Sequence, residues 1–221
     1  VFADRLAEVE NRLVRACQRA GRRRDEVLLL PVTKVFPASA IVEAYAHGLR
    51  EFGENYVQEF AGKQPAVSHL GGARFHLIGH LQSNKARKAA ELFDVVQTVD
   101  SPKLARRLSE AASHPLDVFL EVKLSPEEAK HGCDPQDIPA LIDAIAALPN
   151  LKLRGLMTMP PWSDDPETAR PYFRRLRALA QEHGLPELSM GMSNDLEVAI
   201  EEGSTMVRVG AALFGRRQPA P

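Results

Sequence analysis

The chain has 221 residues, 44% hydrophobic and 26% charged, and this length supports one sizeable core, so residues 1–221 are read as a single domain. A formal net charge of −1 gives no global field for nucleic acid, acidic lipid or a polyanionic substrate, which leaves a small molecule as the expected partner. Two cysteines, Cys17 and Cys133, lie neither in a Cys-x-x-Cys pair nor at metal-ligand spacing, and no apolar run approaches the ~18 residues of a bilayer span, so no metal, no membrane and a reducing, cytoplasmic setting are expected.

Residues 4–20 read as an amphipathic helix, with Leu6, Val9, Leu13, Ala16 and Cys17 on one stripe and Gly21 ending it. Its arginines, Arg12, Arg15 and Arg19, continue into Arg22, Arg23 and Arg24; they read as a solvated face whose positive end complements the helix dipole. From there strands are expected at 27–33, 50–53, 75–78, 95–99, 117–123, 151–158, 187–190 and 206–209. Helical periodicity separates them near 37–48, 55–64, 83–91, 101–112, 135–147, 166–183 and 194–202. Strands alternating with helices imply parallel pairing through right-handed crossovers. Eight of them fit a (β/α)8 TIM-type barrel with an extra N-terminal helix, a doubly wound sheet being the rival. No linker or low-complexity segment cuts the chain, which favours the single barrel.

A barrel of this kind carries its chemistry at the C-terminal ends of the strands. Alternation along the first strand puts Leu28, Leu30, Val32 and Lys34 on one face, so an ammonium closes an interior row. An uncompensated charge there costs several kcal/mol or shifts its pKa. Desolvation favours the amine form, which makes Lys34 a candidate Schiff-base nucleophile. Near the other end, Arg208 lies inside the apolar run Met206-Val207-Arg208-Val209-Gly210. Ser193 reads as the N-cap of the next helix, placing a hydroxyl and free N–H groups where a phosphate would bind, and Gly210 and Ala211 add two more N–H groups. Asp195 fits poorly there unless its carboxylate turns away. Arg208 then faces a heterocycle or the phosphate, or it is ion-paired with Glu54. A carbonyl trap opposite a phosphate cradle describes pyridoxal 5′-phosphate more economically than other common cofactors.

Several blocks in chain order carry a resemblance. They are Pro31-Val32-Thr33-Lys34, Phe52-Gly53-Glu54-Asn55-Tyr56-Val57-Gln58-Glu59, His76-Leu77-Ile78-Gly79-His80-Leu81-Gln82-Ser83-Asn84-Lys85, Gly155-Leu156-Met157-Thr158-Met159, Leu188-Ser189-Met190-Gly191-Met192-Ser193 and Glu202-Gly203-Ser204-Thr205-Met206-Val207-Arg208-Val209-Gly210. Over nearly the whole chain the sequence resembles the YggS/PROSC pyridoxal-phosphate homeostasis proteins. The resemblance implies a barrel like the N-terminal domain of alanine racemases, with Lys34 as the internal-aldimine lysine. It implies Arg208 at the pyridine nitrogen, Ser193, Gly210 and Ala211 around the phosphate, and Asn55 near the ring. It also implies a protein that binds and buffers the cofactor in vitamin B6 and amino-acid homeostasis, with apo pyridoxal-phosphate enzymes as recipients and no established catalysis. An arginine at that nitrogen opposes ring protonation and weakens the ring as an electron sink. The second base that racemases draw from a C-terminal domain is not expected in a chain ending at Pro221. Three positions depart from the family pattern: Ala211, where many members carry a hydroxyl residue or arginine; Phe75, in place of a commoner tryptophan; and Val35, in place of a polar residue.

Rival functions keep parts of this site. A racemase or transaminase needs a base opposite Lys34, for which Tyr56 or His80 would serve. A Schiff-base aldolase would use Lys34 on a phosphorylated sugar, and an interaction module would leave the pocket vestigial. His76 and His80 read as packing or hydrogen-bonding residues, Asn55 alternatively as a helix cap, Lys130 as an exposed lysine able to take the aldehyde during handover, and Cys133 as a loop thiol. A monomer is expected, because no exposed apolar stripe remains once the helices are assigned.

Overall fold

The computed structural model describes residues 1–126 and 131–216. The chain opens with helix α1 (Phe2–Arg19) and then alternates: β1 (Leu28–Pro31), α2 (Ala38–Ala46), β2 (Glu51–Glu54), α3 (Val57–Val67), β3 (Arg74–Leu77), α4 (Ala86–Leu92), β4 (Val95–Val99) and α5 (Pro102–Ala111). It continues with β5 (Leu116–Glu121), α6 (Ile138–Ala146), β6 (Leu151–Met157), α7 (Arg170–Glu182), β7 (Glu187–Met192), α8 (Leu196–Glu201), β8 (Met206–Val209) and α9 (Ala211–Phe214). The strands pair in parallel in the order β1-β8-β7-β6-β5-β4-β3-β2. A parallel bridge between Val32 and Gly53, with Thr33 N–H donating to the Gly53 carbonyl at 2.9 Å, closes β1 onto β2. The expected TIM-type (β/α)8 barrel with its extra N-terminal helix is the fold observed.

Two apolar layers hold it. Leu30, Val32, Ile78, Val95, Phe119, Met157 and Met206 fill the barrel interior, with Leu28 packed against them, as the alternation along β1 requires. Gly53 leaves room for that layer, since a Cβ there would stand 3.2 Å from Leu30 and 3.3 Å from Ile78. The outer layer joins strands to helices. In α3 the large buried apolar residues are Val57, Phe60 and Val67, and Phe75 on β3 packs between Phe52 and Phe60.

Helix α1 buries Val9, Leu13, Ala16 and Cys17, and Phe2 stacks on Phe214 of α9. Each large apolar side chain buried there contributes about 1.5–3 kcal/mol. The basic stripe is the solvated face expected from the sequence only at Arg15, Arg19 and Arg23, which are exposed; the other three arginines are engaged. Arg12 is bidentate to Glu197 of α8, Arg24 is bidentate to Glu10, and Arg22 donates to the Ile200 carbonyl, so these cations strap α1 across the barrel. Three helix starts differ from expectation, two of them where proline intervenes. Residues 135–137 and 166–169 form 3-10 turns before α6 and α7, as do 83–85 before α4, while α9, with only four residues, has no periodicity to read.

Candidate functional site

Beyond β1 the chain makes a four-residue turn, closed by Phe36 N–H donating to the Thr33 carbonyl at 3.1 Å, with Lys34 and Val35 at its centre. Val35 has φ +60°, the left-handed conformation that a β-branched residue rarely adopts. It holds because both flanks of Lys34 are pinned. Lys63 Nζ, buried on α3, donates to the Thr33 carbonyl at 2.9 Å and to Glu54 Oε1 at 2.7 Å, and pairs with Glu59 at 2.8 Å. Glu59 in turn accepts from Val35 N–H at 2.5 Å. Burial pushes the Glu54 carboxyl up to about 7, with Lys63 pulling the other way. Glu54 therefore belongs to Lys63, and the alternative pairing of Arg208 with Glu54 is overturned.

Arg208, 2% exposed, is held instead inside the barrel: Nη1 donates to Ser189 Oγ at 2.8 Å and Nη2 to the Thr158 carbonyl at 3.0 Å. Burial lowers its pKa to about 10, with Asp195 and Glu121 pulling it back up, so the guanidinium stays charged at neutral pH. Ser193 does not cap α8 as the sequence reading had it. The helix begins later, at Leu196, because Asn194 and Asp195 form a turn first; Asp195 folds back so that Oδ1 accepts from Met192 N–H at 2.7 Å. Its carboxylate thus turns away from the loop, and burial raises its pKa. Ser193 Oγ accepts from Ala212 N–H at 3.3 Å, and Arg12 donates to the Ser193 carbonyl at 2.7 Å, so the extra helix buttresses this loop. Gly210 sits at the start of α9, whose first N–H groups lack intrahelical partners.

All six sequence-predicted residues, Lys34, Asn55, Ser193, Arg208, Gly210 and Ala211, line one cavity of about 360 Å³ at the C-terminal mouth of the barrel. Asn55 is no helix cap, since Tyr56 occupies that position, and its Oδ1 is buried without a hydrogen-bond partner among the described residues. Gly79 permits the crowding behind it, because a Cβ there would overlap the Asn55 carbonyl. Sequence reasoning missed Met159, Trp162, Met192 and Asn194, which also line the cavity. Trp162 is 74% exposed at its rim, and Asn194 ties the neighbouring Ser163 carbonyl at 2.7 Å. Lys63 was also missed, although it shares the buried stripe of Val57, Phe60 and Val67 and stands four residues after Glu59.

The remaining predicted groups fall outside. His76 is buried at the opposite end, its Nε2 2.8 Å from Glu51, which bears out a hydrogen-bonding role. His80 stacks on His131 with ring centroids 3.6 Å apart, and burial, then its neighbour's charge, lowers its pKa. Cys133 is buried beside β5, and burial pushes its thiol up to about 12, which makes it unreactive. Lys130 lies outside the described residues.

Residues 5–218 match the family described as Alanine racemase, N-terminal domain. The chain is 50% identical over 221 residues to the Pyridoxal phosphate homeostasis protein of Pseudomonas aeruginosa, covering 98% of this chain and 96% of that protein. It is 44% identical over 226 residues to the protein of the same name from Escherichia coli K12, covering 98% and 97%. The structure of PipY from Synechococcus elongatus PCC7942 with PLP bound superposes with a TM-score of 0.84 at 40% identity, covering 97% of this chain and 100% of that one. An alanine racemase of Clostridium difficile 630 shares the fold at 14% identity, with a TM-score of 0.75 over 99% of this chain and 57% of its own.

Proposed function

The chain belongs to the pyridoxal phosphate homeostasis proteins, built on the alanine racemase N-terminal domain, and on that premise we propose that it holds pyridoxal 5′-phosphate covalently at Lys34 as a reserve for other proteins. The bound cofactor supplies an aldehyde that condenses with an amine, releasing water. The observation that carries this reading is the convergence of the six residues on one cavity of small-molecule size. The donor set fits the group. Lys34 brings the amine, Ser193 with the Gly210 and Ala211 N–H groups faces the phosphate, and the partnerless Oδ1 of Asn55 is an acceptor awaiting a ligand donor. Ala211 offers only its backbone, so side-chain help for the phosphate comes from Ser193.

Arg208 bears on the choice between carrier and catalyst. A buried cation fixed by Ser189 and Thr158 at the ring nitrogen opposes its protonation, so carbanion chemistry gains little from the ring. Binding without turnover is therefore the reading, with apo pyridoxal-phosphate enzymes as recipients. A monomeric, cytoplasmic protein is part of the same proposal. Among the described residues no helix is long and apolar enough to cross a membrane.

The experiment is the visible spectrum of the purified protein and of Lys34→Ala, before and after borohydride, with an amino-acid panel added to the wild type. A Lys34-dependent band that fades on reduction and persists without product supports the carrier. Product formation replaces it with an enzyme, and no band after adding pyridoxal 5′-phosphate removes both readings.

A further inference from the structure

The barrel interior is apolar through Leu30, Ile78, Val95 and Phe119, yet a line of polar side chains crosses it from one mouth to the other. At the N-terminal mouth Glu51 Oε1 lies 2.8 Å from His76 Nε2. His76 Nδ1 lies 2.9 Å from Gln97 Nε2 on β4. Ser189 Oγ on β7 donates to Gln97 Oε1 at 2.5 Å and accepts from Arg208 Nη1 at 2.8 Å. His76, Gln97, Ser189 and Arg208 are all buried.

The two ends fix the direction of every bond. A guanidinium only donates, so Ser189 Oγ accepts from Arg208 and directs its own proton to Gln97 Oε1. The amide then presents Nε2 to His76, whose Nδ1 accepts; the imidazole proton is thereby assigned to Nε2, facing the Glu51 carboxylate. The second amide hydrogen has Met206 Sδ at 3.1 Å. Four bonds aligned from cation to anion polarise one another. Around His76 the mouth is lined by Glu51, Arg74, Asp117, Arg154 and Glu187, and both arginines are engaged by Asp117, at 2.8 and 3.2 Å. Of these groups Glu51 is the one hydrogen-bonded to the imidazole.

We propose that Gln97 is a positioning residue for Arg208, relaying through Ser189 the fixed orientation of the Glu51–His76 pair at one mouth to the guanidinium at the other. This rests on the reading above that Arg208 meets the cofactor ring. A serine hydroxyl with no acceptor of its own rotates; Gln97 holds it so that its lone pairs face Arg208 and the guanidinium keeps one orientation toward the cavity.

Two measurements test it. In cofactor-free protein, the ¹⁵N resonance of His76 Nδ1 at neutral pH reports its acceptor bond, and Ser189→Ala, which does not touch His76, is expected to move it. Ser189→Cys serves if the alanine variant does not fold. In protein loaded with pyridoxal 5′-phosphate, Gln97→Met, which keeps the volume, is expected to lower affinity about tenfold, the scale of one hydrogen bond, and to shift the visible band. Gln97→Glu, still an acceptor for Ser189, is expected to retain most of the affinity. An unmoved His76 resonance, or wild-type affinity and spectrum in Gln97→Met, overturns the proposal. If the wild type takes up no cofactor, the functional reading fails while the resonance still decides the relay.

Discussion

The two mouths of the barrel are both polar and are built to opposite ends. At the N-terminal mouth charges neutralise one another: Arg74 and Arg154 share Asp117, and His76 meets Glu51. At the C-terminal mouth Val35 sits in a strained backbone conformation, Asn55 Oδ1 lacks a hydrogen-bond partner among the described residues, and Met159 and Trp162 stand 43% and 74% exposed. The division is not absolute, since Arg74 Nε is also buried without a hydrogen-bond partner among the described residues, 3.9 Å from Glu51, while Nη2 meets Asp117. Local rules are obeyed where the fold needs only stability and broken where a ligand supplies what is missing.

The largest effect is expected from the cluster beneath Lys34. Lys63→Met leaves Glu54, whose side chain is 1% exposed, as an uncompensated buried carboxyl, and a loss of about 3–5 kcal/mol in urea unfolding is expected. The double variant Lys63→Met/Glu54→Leu should regain much of that loss, since an apolar pair replaces an ionic one without stranding a charge. Its uptake of cofactor should stay slow, because Thr33 would still lack the Lys63 hydrogen bond. Uptake as fast as in the wild type would mean that the cluster serves stability alone, like the charges at the other mouth.

Glu121 sharpens the contrast through pH. Burial, then Asp100, push its carboxyl up to about 7 from 4.5, with Arg208 opposing. Its folded pKa exceeds its unfolded one, so the fold favours the protonated form. The associated stability is complete below about pH 4.5 and is lost as pH rises through about 7; a 2.5-unit shift corresponds to roughly 3 kcal/mol. Glu121→Gln is expected to be more stable than wild type at pH 8 by up to that amount, with the gap closing toward pH 4.5. Equal stability at pH 8 would place the group's ionised form at no disadvantage and remove it from the C-terminal pattern.

Asp117→Ala probes the opposite mouth. Asp117 is 14% exposed while Arg74 and Arg154 are 43% and 36%, so the cost lies between that of a surface and a buried pair, about 1–2 kcal/mol. Cofactor affinity should be unchanged. A variant that unfolds more easily and also binds less would show that the N-terminal charges reach the cavity, with Arg74, released from Asp117, drawing Glu51 away from His76 as the nearest route.

The eight strands were legible because β-branched and apolar runs between turn residues leave few alternatives, five of the six cavity residues because cations, a hydroxyl and free N–H groups fall at strand ends, and Asn55 because its block resembles a family. Other parts were hidden for physical reasons. A lysine on α3 reads as surface, and only the proximity of Glu54, nine residues earlier on β2, shows why it is buried. The start of α8 was placed too early because Ser193 is a good cap, but Asp195 makes the competing bond to Met192 and delays the helix. Trp162 sits in a loop without periodicity, and the path from Glu51 to Arg208 joins five strands whose register no local pattern reveals. The departure at Val35 had no readable consequence until its φ was known.

That residue offers the smallest expected change in stability and a direct test of what the strain does. A left-handed valine costs about 1–2 kcal/mol, whereas glycine there is unstrained but adds unfolded-state entropy worth roughly 0.5–1 kcal/mol. Val35→Gly should therefore change stability by less than about 1 kcal/mol, in the stabilising direction. Its effect should appear instead in the rate of covalent uptake at Lys34. With valine the turn has few conformations, and the bond from Val35 N–H to Glu59 selects one; with glycine it has many, and the amine is presented for a smaller fraction of the time. Slower uptake with unchanged or greater stability would show that the strain orients Lys34. Uptake at the wild-type rate would show that Lys63 and Glu59 hold the turn unaided.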